Sequence, residues 1–190
     1  MTLYRLDLPA GPCIGVDPGI NGGAAQYDGE RWRAIEWRKR SRGWDVTDET
    51  GDQWRVPRWS DALTSWLEYG TATAAAVEAI TYHGGKGVGL LTLAEAAGAA
   101  VVLVGDLIVG DVQRPRPQEW RRDVLGLSSR TGAAACATAA IHAVAGTRDP
   151  SRSRMVDLGV GLRLGEHAAE AVCIALWAAG CRLARVDGVA

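Results

Sequence analysis

The stretch that most constrains the fold of this chain is a short apolar run that ends on an acidic residue and a turn. Residues 13–16 carry no charge, and Asp17, Pro18 and Gly19 follow them. The uncharged run is typical of a strand in the middle of a sheet, and Pro18-Gly19 cannot continue a strand ladder. Two interpretations of Asp17 are open: a carboxylate presented to solvent from a rigid base, or one folded onto nearby backbone N–H groups in an Asx turn.

A second apolar run delivers a second carboxylate. Residues 71–77 are apolar and partly β-branched, and Glu78 follows them. One acid at the end of a strand is weak evidence, but two acids at the ends of central strands predict a shared site at one edge of the sheet. The next segment, 79–89, is a Gly-rich loop that lacks the residue order of a Walker A phosphate loop.

A third group of ionisable residues opens the last predicted helix. Residues 166–177 are apolar almost all round, which is typical of a buried helix. His167 and Glu170 are three residues apart, so they share a face. Acids in a first turn favour the helix dipole, which explains Glu166. It explains Glu170 less well, because this residue precedes a wholly apolar run and should face the sheet.

These three groups supply four candidate site residues: Asp17, Glu78, His167 and Glu170. Three carboxylates brought together repel one another unless cations join them, and hard oxygen ligands favour Mg²⁺ or Mn²⁺. Two such ions, roughly 3.5–4 Å apart, can activate a water and stabilise a leaving alkoxide in phosphodiester hydrolysis. In this hypothesis Asp17 bridges both ions, Glu78 holds one, and His167 with Glu170 holds the other.

The remaining segments predict alternating strands and helices. Asp28-Gly29 is a good hairpin turn between two strands, Ser60 is a plausible helix N-cap, and Gly70 is a plausible helix stop. The predicted strands cover 22–27, 31–37 and 99–104. The predicted helices cover 60–69, 88–97 (ended by Gly98), 117–125 and 131–145. Segment 43–58 is either a long loop or a short extra hairpin.

Charge is balanced overall and concentrated locally. The formal net charge of -1 predicts no overall attraction to nucleic acid. Segment 31–42, however, holds six basic residues, two tryptophans and the single acid Glu36. This pattern suits a phosphate backbone with exposed bases, and it also suits a solvated hairpin whose tryptophans pack inward; both can hold at once. No apolar run is long enough to span a membrane, and four cysteines without CxxC spacing indicate reduced thiols in a cytoplasmic protein.

The ordered motifs resemble those of the RuvC family of Holliday junction resolvases, within the ribonuclease H-like superfamily. The resemblance rests on 14–19 (IGVDPG), 77–80 (VEAI) and 167–171 (HAAEA), while 84–98 is similar to the loop and helix of phage-type members. Segment 112–126 is similar to the region before the family's last helices. Two departures stand out: Glu170 replaces an acid that is typically Asp, and Glu166 lies beside His167, so either could be the ligand.

The resemblance implies an α/β fold: a mixed five-stranded sheet, its first three strands antiparallel, with helices on both faces, in a single domain over 1–190. It further implies a homodimer that pairs through the helix around 88–98 and nicks both symmetric strands of a four-way DNA junction. The cofactor would be Mg²⁺, with Mn²⁺ able to substitute, at two ions per active site. The loop 80–86 would probe the junction centre, with Tyr82 stacking on an unpaired base. The candidate DNA-contacting residues are Arg38, Lys39, Arg40, Arg42, Tyr82, His83, Lys86 and Arg130.

Three alternatives remain beside this hypothesis. The first is another ribonuclease H-like nuclease, acting on branched or flap DNA or on an RNA–DNA hybrid. The second is a catalytically inactive junction-binding module, because Glu170 departs from the family pattern. The third is an actin-like phosphotransferase, which the chain disfavours because it lacks a second phosphate-binding strand pair and a second domain. The expected location is the cytoplasm of a bacterium or of a phage-infected host.

Overall fold

The structure is a computed structural model and describes residues 2–67, 72–80, 88–108, 110–152 and 154–186. Six strands come first along this part of the chain, and the five helices and the remaining three strands follow them. The strands are β1 (Thr2–Leu6), β2 (Cys13–Asp17), β3 (Gly22–Tyr27), β4 (Trp32–Lys39), β5 (Trp44–Asp48), β6 (Gln53–Val56), β7 (Ala74–Val77), β8 (Arg154–Asp157) and β9 (Leu183–Val186). The helices are α1 (Trp59–Trp66), α2 (Val88–Gly105), α3 (Pro117–Leu125), α4 (Ala133–Val144) and α5 (Glu166–Ala178).

The central sheet has six strands in the order β6-β5-β4-β3-β2-β7. The predicted antiparallel arrangement of the first three strands, β2 to β4, is confirmed, and β7 lies parallel to β2. The prediction of five strands is wrong. Residues 43–58 form the β5–β6 hairpin, which extends the sheet. Val46 of β5 is buried, and the rest of that strand is half-exposed. The extra-hairpin interpretation is therefore the correct one.

The predicted strand over 99–104 is also wrong, because this segment belongs to α2. The helix continues past Gly98 to Gly105. Alanines flank Gly98 on both sides, and Ala97 and Ala100 are buried, so strong helix formers and apolar contacts outweigh the cost of about 1 kcal/mol for a glycine in a helix.

The N-cap of α1 lies two residues before the predicted one. The N-cap is Arg58, not Ser60, and Asp61 accepts the backbone N–H of Arg58 at 3.1 Å. The predicted stop at Gly70 lies outside the described residues. At the other predicted helix ends, Pro117 opens α3, and Gly126 follows it with a positive φ of 60°.

A second sheet of three strands has the order β8-β1-β9. Strand β1 runs parallel to β8 and antiparallel to β9. These strands are only four or five residues long, too short to show a convincing alternation of apolar residues, and the sequence did not predict them.

Helices cover both faces of the central sheet, as predicted. Helices α3, α4 and α5 pack on one face, and α1 and α2 pack on the other. Helix α5 lies very close to the sheet because two glycines face it: a Cβ on Gly15 would collide with the backbone at Ala171 and Ala175, and one on Gly23 would lie 2.5 Å from the carbonyl of His167. Among the described helices, none combines the length and apolar character needed to cross a membrane.

Candidate metal centre

Two adjacent parallel strands present Asp17 and Glu78 at the same edge of the sheet. Asp17 is the last residue of β2, and Glu78 directly follows β7. Val16 pairs with Val77 in the parallel register, and the Glu78 N–H donates to the Val16 carbonyl at 3.0 Å. The arrangement predicted for the two strand-end acids is therefore present.

The first turn of α5 brings His167 and Glu170 to Asp17. His167 Nδ1 lies 2.7 Å from Asp17 Oδ2, a distance at which a protonated Nδ1 donates a hydrogen bond. Ligand atoms of Asp17, His167 and Glu170 all lie within 4.8 Å of one another. Glu170 is buried, whereas Glu166 is exposed. Of the two adjacent residues, His167 is thus the one that faces Asp17.

Glu78 is held by a buried tryptophan. Trp120, in α3, is fully buried and donates its indole N–H to Glu78 Oε2 at 2.6 Å. Glu78 is not part of the 4.8 Å group among the described residues, but the charge of Asp17 contributes to raising its pKa. The sequence hypothesis assigned Trp120 no role in the site. The sequence feature that could have drawn attention to Trp120 was its position shortly after Pro117, the residue that opens the helix.

All three neighbouring carboxyls have raised pKa values. Burial raises the pKa of Asp17, with His167 opposing the shift. Burial and the charge of Asp17 raise the pKa of Glu78 to about 7 and that of Glu170 to about 8. Burial alone would lower the pKa of His167, but the hydrogen bond and charge of Asp17 outweigh it and raise that pKa. The protein has therefore gathered more negative charge here than its own cations neutralise.

Arg121 supplies part of the missing positive charge. Its guanidinium Nη2 lies 3.6 Å from Glu170 Oε1, and the Arg121 side chain is only 20% exposed. Its charge lowers the pKa of Asp17, Glu78 and Glu170, against the effect of burial. The sequence hypothesis missed this residue because nothing in the order of residues distinguishes Arg121 from the neighbouring Arg122, which is exposed.

The donor set fits a divalent cation. Carboxylate oxygens and an imidazole nitrogen are ligands that Mg²⁺ and Mn²⁺ accept. A cation would stabilise the ionised carboxylates, which burial above all disfavours and which the charge of Asp17 further disfavours at Glu78 and Glu170. Asp17, His167 and Glu170 would hold the ion, and Glu78 is the fourth candidate ligand. The side chain of Glu170, although longer than Asp, lies within the group of close ligand atoms.

The basic segment after Trp37 lies on the surface but is partly neutralised. Arg38, Lys39, Arg40 and Arg42 are all exposed. Arg38 pairs with Glu36 at 2.7 Å, and Arg40 pairs with Asp45 at 2.7 Å. The ammonium of Lys39 lies 3.4 Å from the ring centroid of Trp44.

Of the other candidate DNA contacts, Arg130 is the one that lies within the described residues. Arg130 is exposed just before α4. Tyr82, His83 and Lys86 lie outside the described residues. Trp32 and Trp37 are buried, so the inward-packing interpretation holds for these two rings.

Comparisons with known proteins add the following. No protein-family model matches the sequence, and no curated protein matches it. Among solved structures, the chain is similar to Thermus thermophilus RuvC, with a TM-score of 0.44, 14% identity, and coverage of 93% of this chain and 92% of that one. It is also similar to T. thermophilus RuvC in complex with a Holliday junction substrate, with a TM-score of 0.44, 15% identity, and coverage of 87% and 91%. The chemistry of the candidate site therefore follows from its own side chains.

Proposed function

We propose that this protein is a metal-dependent endonuclease that resolves four-way DNA junctions by paired, symmetric nicks. The observation that carries the proposal is the meeting of Asp17, His167 and Glu170 within 4.8 Å, from elements far apart in the chain, beside the strand-end acid Glu78. Buried carboxyls of this density are costly for a fold, and binding of divalent cations is the use that fits their chemistry.

Two Mg²⁺ or Mn²⁺ ions at such a site would supply a nucleophilic water at neutral pH and stabilise the leaving oxygen. The residues of the chain prepare that chemistry. Asp17 orients the His167 ring through Nδ1, and Trp120 orients the Glu78 carboxylate. Arg121, beside Glu170, places a permanent positive charge where a phosphodiester would approach, which favours the negative charge of the transition state.

The choice of a four-way junction as substrate rests on the ordered motifs of the sequence, which resemble the RuvC family, in one nuclease domain over 1–190. Exposed Arg38, Lys39, Arg40 and Arg42 would contact phosphates near the site, and such contacts give affinity without reading sequence. Reduced cysteines fit action in a cytoplasm; all four are free and buried.

The test is cleavage of a labelled four-way junction beside plain duplex and a flap, in Mg²⁺, in Mn²⁺ and in EDTA. We expect paired nicks in the junction that require metal and that fall about a hundredfold to a thousandfold in Asp17→Asn, the range for loss of one preorganised electrostatic contact. Asp157→Asn, on β8 in the second sheet, is the matched control and should cut normally. Tight junction binding without nicking would favour an inactive binding module, and preferential cutting of the flap would keep the site and change the substrate.

A homodimer is part of the proposal. Helix α2 carries Val102, which is 64% exposed, on a mostly apolar helix whose one charged residue is Glu95. An exposed apolar helix face of this kind suits pairing with a second copy. Val102→Asp should then convert the dimer to a monomer in sedimentation velocity, whereas Thr138→Asp, on the exposed face of α4, should leave the mass unchanged.

A further inference from the structure

The metal-site helix α5 has no side chain of its own to cap its start. Its N-cap is Gly165, and the first backbone N–H groups of any helix lack partners within the helix. A residue from the sheet fills this gap: Glu36, on β4, accepts the backbone N–H of His167 at 3.0 Å through Oε2. Glu36 is 8% exposed, one of the few buried charged residues of the described chain.

The glycine at position 165 is explained by the space that Glu36 needs. Gly165 has φ of -71° and ψ of 177°, a conformation open to any residue, so backbone strain does not demand glycine. A Cβ at this position would instead collide with the Glu36 carboxyl, lying 2.8 Å from Cδ. The cap that Glu36 provides from β4 therefore depends on position 165 having no side chain.

Glu36 is itself held in place from its other side. Arg38 donates from Nε to Glu36 Oε1 at 2.7 Å, which fixes the orientation of the carboxylate. A carboxylate at a helix N-terminus also interacts favourably with the helix dipole. Both effects strengthen the bond to the His167 N–H, since hydrogen bonds to a charged acceptor are the strong ones.

We infer that Glu36 is a positioning residue of the metal centre: by capping α5 from the neighbouring strand, it fixes the turn from His167 to Glu170 against Asp17. The inference rests on the proposed metal centre. The capped N–H belongs to a candidate ligand residue, so a shift of this turn moves the His167 ring and the Glu170 carboxylate together. Partners that orient metal ligands typically change metal affinity 10–100-fold when removed.

The direct test compares Mn²⁺ affinity, measured by electron paramagnetic resonance of the free ion, in the full-length wild type and in Glu36→Ala. We expect at least about tenfold weaker binding in the variant. Glu49→Ala is the matched control: Glu49 Oε2 accepts the Ala34 backbone N–H at 2.9 Å, so this variant removes a similar bond in the same sheet without touching α5. This control should bind within about twofold of the wild type, and an equal reduction in both variants would overturn the inference.

A rescue variant separates capping from general stability. In Glu36→Ala, the space beside Gly165 is free, and Gly165→Ser would place a good N-capping hydroxyl there. The double variant should recover Mn²⁺ affinity to within about threefold of the wild type, because a local cap of comparable strength replaces the distant one. Failure of a folded double variant to recover affinity would show that Glu36 does not act through the helix start.

A further readout needs neither metal nor a well-folded alanine variant. Backbone hydrogen exchange of the His167 amide should be slow in the metal-free wild type and remain slow in Glu36→Gln, whose amide oxygen can still accept. Exchange in the wild type as fast as in an unstructured peptide would overturn the inference. If the His167 amide is protected but the wild type binds no Mn²⁺, the metal centre is overturned and the positioning role with it. If Glu36→Ala binds Mn²⁺ as well as the wild type does, the positioning role alone is overturned.

Discussion

Trp120 donates its indole N–H to Glu78 Oε2 over 2.6 Å, and this bond joins a fully buried ring on α3 to the strand-end acid beside the candidate metal centre. The hydrogen bond lowers the pKa of Glu78, against the effect of burial, which raises it to about 7. An uncharged neighbour thus shifts Glu78 toward its ionised form, which is the form that can bind a cation.

Removal of this donor gives the first prediction. Trp120→Phe should raise the pKa of Glu78 further and weaken metal binding at pH 7 by about tenfold, with part of the affinity recovered at higher pH as Glu78 ionises. Metal titrations at pH 7 and pH 9 measure both effects. Trp177→Phe is the control, because Trp177, at the end of α5 away from the site residues, donates to Asp123 at 3.1 Å in a bond of the same kind. Equal affinities in Trp120→Phe and wild type would contradict the prediction.

The second prediction concerns pH and stability without metal. The pKa values of Glu78 and Glu170, about 7 and about 8, lie above the ordinary 4.5. The folded state therefore holds protons that the unfolded state has released, so the free energy of unfolding falls as pH rises from about 4.5 to about 8. The raised pKa values of Asp17 and His167 act in the same direction.

Melting temperatures in EDTA measure this effect. We expect the melting temperature to fall between pH 5 and pH 8.5, by about 2–4 °C for each kcal/mol of unfolding free energy that is lost in a chain of this size. Saturating Mg²⁺ or Mn²⁺ should reverse this fall at pH 8.5 by binding the folded state. Glu170→Gln should flatten the pH dependence, and a melting temperature that rises with pH in EDTA would contradict the sign.

The third prediction concerns the close approach of α5 to the sheet. Gly23→Ala places a Cβ 2.5 Å from the carbonyl of His167 and 2.6 Å from the N of Ala168. Backbone must move to admit it, so we expect a decrease of about 2 kcal/mol or more in unfolding free energy together with weaker metal binding. Urea denaturation and Mn²⁺ titration measure the two effects.

A glycine in open space supplies the control for that variant. A Cβ on Gly98, in α2, would meet no atom within 4 Å. Gly98→Ala should therefore stabilise the protein by about 0.5–1 kcal/mol through helix propensity and leave metal binding unchanged. If both substitutions destabilise the protein, the close packing of α5 on the sheet is not the cause of the stability lost in Gly23→Ala.

The fourth prediction concerns DNA binding by the exposed basic segment. Lys39→Ala with Arg42→Ala should weaken binding to junctions of any sequence and lower the slope of log K against log salt by about 2, near one unit for each phosphate that the protein no longer neutralises. Anisotropy titrations from low to moderate salt measure the slope. The control changes Arg5 and Arg182, which pair with Asp157 and Asp123 near the second sheet, and should keep the wild-type slope.

The sequence predicted the elements whose pattern is local. An apolar run ending on Asp17, a hairpin at Asp28-Gly29 and a buried helix with acids in its first turn each carry their signal within a few residues. The meeting of Asp17 with His167 followed from these patterns and from the resemblance of the ordered motifs. The metal role of the four site residues stays a prediction.

What the sequence did not predict depends on contacts between distant segments. Strand β1 exists because β8 and β9 pair with it, and nothing in its own residues requires a strand. The continuation of α2 through Gly98 reflects packing that overrides a local stop signal. Glu36 stood out only as the single acid in a basic run, and its partner, the His167 N–H, lies 131 residues away.

The hydrogen bond between His167 and Asp17 spans 150 positions of the chain. Asp17 and Glu78 precede Glu166, the first residue of α5, in the order of translation, so a nascent chain that has not yet reached Glu166 carries only two of the four candidate ligands. The proposed metal centre can form only after α5 has been made. The proposed cutting activity is in this way coupled to synthesis of the whole segment between Asp17 and Glu170.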